Sequence, residues 1–355
     1  MTRVTLQTIA DALGVSRMTV SNAFSRPDQL SAELRDRVLA TAARLGYSGP
    51  DPAARALARG SVGTIGLVLT DKLHGAFGDE VATRLLGAIS EELAESGRGL
   101  TLLGTKAHGD LVPTRDIPLD GALVYACGAT SEAVDWLKRR GLPLVFVDQD
   151  PVKGYPCINV DDRGGAQAAA QHLVDLGHRR IAILTRLADE PGIADPATIA
   201  SSTFTTRERM AGWSAALQPA GIDPFTVNAA DSTESAGYDA AQLFLGLPAT
   251  QRPTAVLAYS DRIALGAVQA ARDAGLSVPA DLSIVGFDDA MFAATSHPPL
   301  TTVRQDVDRK GHEATALLRA AIERATPQRT DHRVLPTELV VRASTAPLSR
   351  RRSAR

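Results

Sequence analysis

The sequence predicts a small all-α helix-turn-helix unit followed by a larger α/β body of two lobes, each built on a parallel sheet. Three observations carry this. Residues 5 to 46 hold three short helical patterns, separated by a tight Gly14-Val15-Ser16 corner and by the loop Ser25-Arg-Pro-Asp-Gln-Leu30. From residue 62 onward, short apolar strands alternate with amphipathic helices, the pattern of parallel sheets covered on both faces. That stretch runs to about 270 residues, more than one such sheet needs, and a second run of strand-helix units opens near Asn159 to Arg163.

Thr5 is a good N-cap for a first helix whose Leu6, Ile9, Ala10 and Leu13 recur at helical spacing until Gly14 stops it. Ser16 caps a second helix with Val20 and Phe24 facing inward and Arg17, Met18, Ser21 and Asn22 left outside. Ser31 caps a third, with Leu34, Val38, Ala42 and Leu45 on one stripe and Gly46 closing it. The first unit therefore spans 1–47. A linker over 48–61 follows, in which Asp51 is a suitable cap, Pro52 suits the first helical position and the alanines favour helix. This hinge helix is about two turns long, too short to persist in water without packing partners.

The body spans 62–345. Strands are expected at Thr64–Leu69, Leu100–Leu103, Gly121–Val124, Leu144–Val147, Ile181–Leu184, Ala255–Ala258 and Ser283–Phe287. Helices are expected over Asp79–Ser96, Ser131–Arg140, Gly164–Leu176, Arg207–Ala220 and Ser235–Leu245. Ligand crevices of such sheets lie at the carboxyl ends of the strands, where Asp71, Asp148, Ser260, Asp261 and Asp288 fall. Residues 346–355 read as a basic, disordered tail without a leucine heptad.

With 44% hydrophobic residues in 355, the chain can bury several cores, which excludes a disordered protein. The net charge of -2 is unevenly spread: the first 60 residues carry roughly +3, all their bases being arginine, and the remainder roughly -5. Cys127 and Cys157 form neither a disulfide framework nor a zinc pattern and read as small core residues. No apolar signal segment opens the chain and no uncharged apolar run reaches about 18 residues, so a cytoplasmic protein without a membrane span is expected. Dinucleotide-loop, P-loop, nucleophile-elbow and His-Glu-x-x-His motifs are missing, which argues against an enzyme. His172 and His178 lie six apart across a helix end and make no metal pair; no metal or other cofactor is expected.

The run Val4-Thr-Leu-Gln-Thr-Ile-Ala-Asp-Ala-Leu-Gly-Val-Ser-Arg-Met-Thr-Val-Ser-Asn-Ala-Phe24 resembles the headpiece of the lactose-repressor (LacI/GalR) family. So do Thr64-Ile-Gly-Leu-Val, His172-Leu-Val-Asp-Leu-Gly-His, Arg209-Met-Ala-Gly-Trp213, Ser260-Asp-Arg-Ile-Ala-Leu-Gly266, Val285-Gly-Phe-Asp-Asp289 and Pro298-Pro-Leu-Thr-Thr-Val-Arg-Gln305, in the family's order. The resemblance implies a sequence-specific transcriptional regulator, by default a repressor. Its partners would be a pseudo-palindromic double-stranded DNA operator, a small-molecule effector expected to be a sugar, and a second copy in a homodimer.

On that resemblance Arg17 and Met18 open the recognition helix, where arginine can bond guanine bidentately and methionine makes apolar contacts, for instance with a thymine methyl. Asn22 is placed to reach a base or a phosphate, and Thr5, Leu6, Ser16, Thr19, Ser21 and Ala54 complete the DNA-contacting set. Leu57 matches the leucine that wedges into the minor groove, although Gly49-Pro50 adds one residue before the hinge. The body would be periplasmic-binding-protein-like (type I), with Asp71, Phe77, Asp148, Arg209, Ser260, Asp261, Asp288 and Gln305 around the effector. Carboxylates and one guanidinium suit the paired hydroxyls of a sugar. Blander readings stand beside these: a solvated helix face for Arg17, Met18 and Asn22, a stray apolar residue for Leu57, an ion pair for Arg209 and Asp288, a helix cap for Asp261. Ser232 falls about where sugar-binding members carry a stacking aromatic, and Gly75-Ala-Phe-Gly78 replaces the commoner Asn-Pro-Phe-Phe. A secreted solute-binding protein would share the body but needs a signal peptide and no headpiece.

Overall fold

A computed structural model describes residues 4–49, 51, 55–57, 60–69, 73–105, 110–126, 131–187, 190–195, 198–199, 202–323 and 331–348. The chain divides into two compact units, Met1–Gly63 and Thr64–Arg355, each taken here by itself.

In the first unit, helices α1 (Leu6–Leu13), α2 (Arg17–Ser25) and α3 (Ala32–Arg44) begin at the expected caps. Thr5 Oγ1 accepts from the Thr8 N–H at 3.3 Å while the Thr5 N–H donates to the Thr8 hydroxyl at 3.2 Å, a reciprocal box. Ser16 Oγ accepts from Thr19 N–H at 3.0 Å and Ser31 Oγ from Leu34 N–H at 3.3 Å. Gly14 takes φ +63°, the left-handed turn that ends α1 and redirects the chain within two residues. Ile9, Ala10, Val20, Ala23, Val38 and Ala42 close a small core, and Phe24 meets Tyr47 edge to face at 5.6 Å. Residues 55–57 form a helical turn, with Arg55 N–H donating to the Asp51 carbonyl at 2.9 Å.

The second unit holds strands β1 (Thr64–Val68), β2 (Gly99–Leu103), β3 (Gly121–Tyr125), β4 (Leu144–Val147), β5 (Cys157–Val160), β6 (Ile181–Thr185) and β7 (Gly192–Ile193). They are followed by β8 (Phe225–Asn228), β9 (Ala255–Ala258), β10 (Ser283–Val285), β11 (Thr302–Gln305), β12 (His332–Leu335) and β13 (Thr337–Val340). One lobe is a six-stranded parallel sheet in the order β12-β5-β4-β3-β1-β2. The other is a five-stranded sheet, β10-β9-β6-β8-β7, parallel except for β7. All seven expected strands are present.

The second lobe opens where the second run of strand-helix units begins, near Asn159–Arg163, but the lobes are not successive halves. After β5 the chain enters the second lobe through helix Asp162–Asp175, but β11 leads into helix Val307–Glu323, whose Val307, Ala314 and Leu318 join the first-lobe core. Strand β12 then pairs with β5, and β13 pairs with β11. The chain thus crosses between lobes three times. Gly311 permits the return: a Cβ there would stand 2.6 Å from that of Ala88 on helix Glu80–Glu95. The tail also departs later than expected. Ala346 N–H donates to Ser283 Oγ at 3.1 Å and Leu348 N–H to the Leu176 carbonyl at 2.9 Å, so residues 346–348 remain attached to the second lobe. Cys157 is buried in β5, while Cys127 lies outside the described residues.

Candidate functional site

In the headpiece, Val20 and Ala23 are buried and fix the rotation of α2. Helical spacing then turns Arg17 and Met18 outward, Met18 being 68% exposed. Ser21 and Asn22 are half-buried, and Asn22 Nδ2 donates to Gln29 Oε1 at 3.2 Å. The hydroxyls of Ser16 and Thr19 bond each other at 2.8 Å and organise the start of the helix. Thr5 caps α1, and Leu6 packs half-buried against the core. No carboxylate stands in α2, whose N-terminus adds the positive end of the helix dipole to the Arg17 charge, a potential that favours phosphate. Leu57 is 87% exposed; Ala54 lies outside the described residues.

In the body, polar residues collect where strands end. Asp148 follows β4, Tyr259, Ser260 and Asp261 follow β9, and Asp288 lies just beyond β10. Asp148 and Asp288 hold φ values of +53° and +117°, uncommon outside glycine and a form of local strain that clusters at functional sites. A narrow crevice lies here. On the first-lobe side it is walled by Asp79, Glu80 and Arg84, at the start of helix Glu80–Glu95. The second lobe supplies Ser232, Ser260, Asp261, Arg262, Asp288 and Phe292. Phe77, half exposed, borders an adjoining open recess with Arg262 and Glu234. Bonds across the crevice join the lobes, among them Met291 N–H donating to Glu80 Oε1 at 2.7 Å and the Arg262 guanidinium donating to the Gly78 carbonyl.

Asp148, Arg209 and Gln305 are not on that wall. They form a buried polar line that runs inward from Asp288. Arg209 Nε donates to Asp162 Oδ1 at 2.8 Å, one terminal nitrogen donates to the Tyr259 carbonyl and the other to Asp288 Oδ1 at 3.4 Å, with the guanidinium over the Phe287 ring at 3.6 Å. Gln305 Nε2 donates to Asp288 Oδ1 at 2.7 Å, and Gln305 Oε1 accepts from Lys310 Nζ at 2.9 Å. Lys310, fully buried, places its ammonium 2.5 Å from Asp148 Oδ2. The line therefore joins the Asp148 side of the first lobe to Arg209 of the second.

Asp261 is the first residue of helix Asp261–Asp273 and not its cap, which is Ser260, whose Oγ accepts from Ile263 N–H. Its carboxylate accepts from Ala290 N–H at 2.8 Å and from the Thr302 hydroxyl at 2.5 Å, tying the loop after β10 to β11. Burial pushes Asp288 up to about 7 and Asp162 up to about 6 against the pull of the Arg209 charge. Burial, and then the charge of Asp288, raise Asp261 well above the usual carboxylate range. Asp71 lies outside the described residues.

Sequence reasoning missed Asp162, Lys310 and the wall residues Asp79, Glu80, Arg84 and Arg262. For Lys310 a signal existed. It sits on the stripe Val307, Gly311, Ala314, Leu318, where an apolar side chain belongs.

A helix-turn-helix unit presenting arginine and methionine, joined to a two-lobed body crossed three times by the chain, defines a DNA-binding regulator with a polar crevice in its body. Residues 5–49 match the family model of the bacterial regulatory proteins of the lacI family, and residues 170–345 match the periplasmic binding protein-like domain. An HTH-type transcriptional regulator of Mycobacterium tuberculosis is 38% identical over 350 residues, 95% of this chain and 96% of that protein. Among solved structures, the lac repressor dimer bound to operator and the anti-inducer ONPF aligns at a TM-score of 0.79 and 26% identity, over 97% of this chain and all of that one. The complex of the transcriptional regulator CelR with cellobiose aligns at 0.69 and 27% identity, over 96% of this chain and 100% of that one. The chain belongs to the lacI family of bacterial transcriptional regulators. Among the described residues no helix is long and apolar enough to cross a membrane.

Proposed function

We propose that this protein is a homodimeric repressor whose affinity for a pseudo-palindromic operator is set by a sugar bound in the crevice. The observation that carries the effector half is the crevice wall, where Ser232, Ser260, Asp79, Asp261 and Asp288 come together. Carboxylates accept from the adjacent hydroxyls of a sugar ring, and serines both donate and accept. Asp148, Arg209 and Gln305 act behind Asp288, fixing its orientation, and Phe77 borders the entrance. A solved relative holding cellobiose, and another held as a dimer on its operator, support the same assignment.

In the headpiece, Arg17 reads a guanine, Met18 packs on a thymine methyl and Asn22 reaches a neighbouring base or phosphate. Thr5, Leu6, Ser16, Thr19 and Ser21 seat the helices on the backbone, and Leu57 wedges into the minor groove at the dyad. The effector acts by binding one lobe arrangement more tightly than the other, which shifts the operator-competent population.

A thermal-shift panel of sugars and nucleobases on the full chain tests the ligand class. A sugar at about 100 times its dissociation constant stabilises by roughly 2.7 kcal/mol. The shift disappears in Asp288→Ala. Stabilisation by nucleobases and by no sugar would sink the sugar reading.

A further inference from the structure

We infer that the crevice selects neutral or amine-bearing polyols and turns away sugar phosphates and sugar acids. The inference rests on reading the crevice as the effector site, and it concerns how charge is distributed there. Among the described residues, Arg84 and Arg262 on the cavity wall and Arg209 and Lys310 behind it are already engaged, while Arg186, which follows β6 beside Tyr259, keeps a buried Nε without a hydrogen-bond partner. Arg84 donates to Asp308 at 2.7 Å, Arg262 to the Gly78 carbonyl, Arg209 to Asp162, Tyr259 and Asp288, and Lys310 to Asp148 and Gln305.

Carboxylates outnumber them. Asp79, Glu80, Asp261 and Asp288 stand on the wall, with Asp148 and Asp162 behind. Two of these acids keep an oxygen without a hydrogen-bond partner, Asp148 Oδ1 and Asp162 Oδ2, in side chains only 8% and 1% exposed. Those two oxygens lie behind the wall, out of a ligand's reach; on the wall itself a carboxylate oxygen can only accept, so the acids there favour N–H and O–H donors. Burial first, and for Asp261 next the charge of Asp288, raises the proton affinity of both acids. A phosphoryl group would bring about -1.5 to -2 further charge into the crevice. Like charges brought together at a desolvated contact discriminate strongly against the wrong ligand. A hydroxyl or ammonium group meets acceptors instead.

The test uses full-length protein and matched probe families in a thermal-shift titration: glucose, glucosamine, glucose 6-phosphate and gluconate, with the corresponding galactose and mannose sets. In every family that stabilises, the parent sugar or its amine binds at least about tenfold tighter than the phosphate or the acid, and Asp288→Asn narrows that gap. A phosphate or acid that binds more tightly than its parent overturns the inference. If no sugar of any family shifts the transition, the sugar reading above fails, and the charge claim is then decided on ligand-free protein. Wild type should lose stability relative to Asp288→Asn as pH rises from about 4 to about 7, because the folded state holds a proton that the unfolded chain releases. A difference that is flat or of opposite sign overturns it. Asp261→Asn takes the same comparison if the first variant does not fold.

Discussion

Lys310 has no access to solvent; Asp148 pairs with its charge, the Gln305 carbonyl takes a further hydrogen bond, and Asp288 and Asp162 lie within electrostatic reach. Lys310→Met fills the same stripe with an apolar side chain but leaves Asp148 buried and unpaired, a change expected to cost about 3–5 kcal/mol. Lys310→Met combined with Asp148→Asn should recover much of that loss in chemical denaturation; additive losses would mean the two groups are not coupled. Arg17 is the counterpart in the headpiece, exposed and free of any role in the core. Arg17→Ala should leave the melting transition unchanged and weaken specific binding by about 1–3 kcal/mol, relaxing preference at one base pair per half-site. Binding profiles on a randomised operator check this, and an unaltered base preference would remove Arg17 from the reading set.

The hinge is the element whose sequence and structure pull in different directions. Residues 55–57 make a helical turn below Asp51, yet Leu57 is 87% exposed. An isolated turn of this length is marginal in water and gains stability only from partners; the proposed ones are its twin and the minor groove. Amide exchange over residues 51 to 57 should be fast in free protein and slow on operator; strong protection without DNA would mean a preformed hinge. Leu57→Ala should lower specific binding more than nonspecific binding, because a wedge gains only where the base step deforms.

Elements also show what the sequence made legible. Helix starts were readable because a cap is a local bond: Thr5, Ser16 and Ser31 each bind an N–H three residues on. Strand β5 escaped because Asn159 interrupts its apolar run, and only the fold shows that this amide is buried against the Gln149 backbone. Edge strand β12, His-Arg-Val-Leu, carries polar residues and pairs with a strand some 170 residues earlier, a relation no local pattern encodes. For the same reason the sequence offers Arg209 and Asp288 as an ion pair but not the line that joins them to Asp162, Gln305, Lys310 and Asp148. Lys310 arrives in it from a helix that returns to the first lobe.

Taken whole, the chain carries a basic headpiece and a body whose lobes share three crossings, and on the proposed reading closing the crevice acts on the headpiece. A ligand that binds one arrangement preferentially can shift operator affinity by about 1–3 kcal/mol, or 5- to 150-fold. That coupling is read most directly by fluorescence anisotropy. The operator is first selected from random duplexes by the full-length protein, then titrated with and without a sugar that stabilises the protein. Operator affinity should change at least about fivefold in wild type, and in Asp288→Ala it should not respond to the sugar while basal binding persists. An affinity identical with and without a sugar that demonstrably occupies the crevice would contradict effector control of DNA binding.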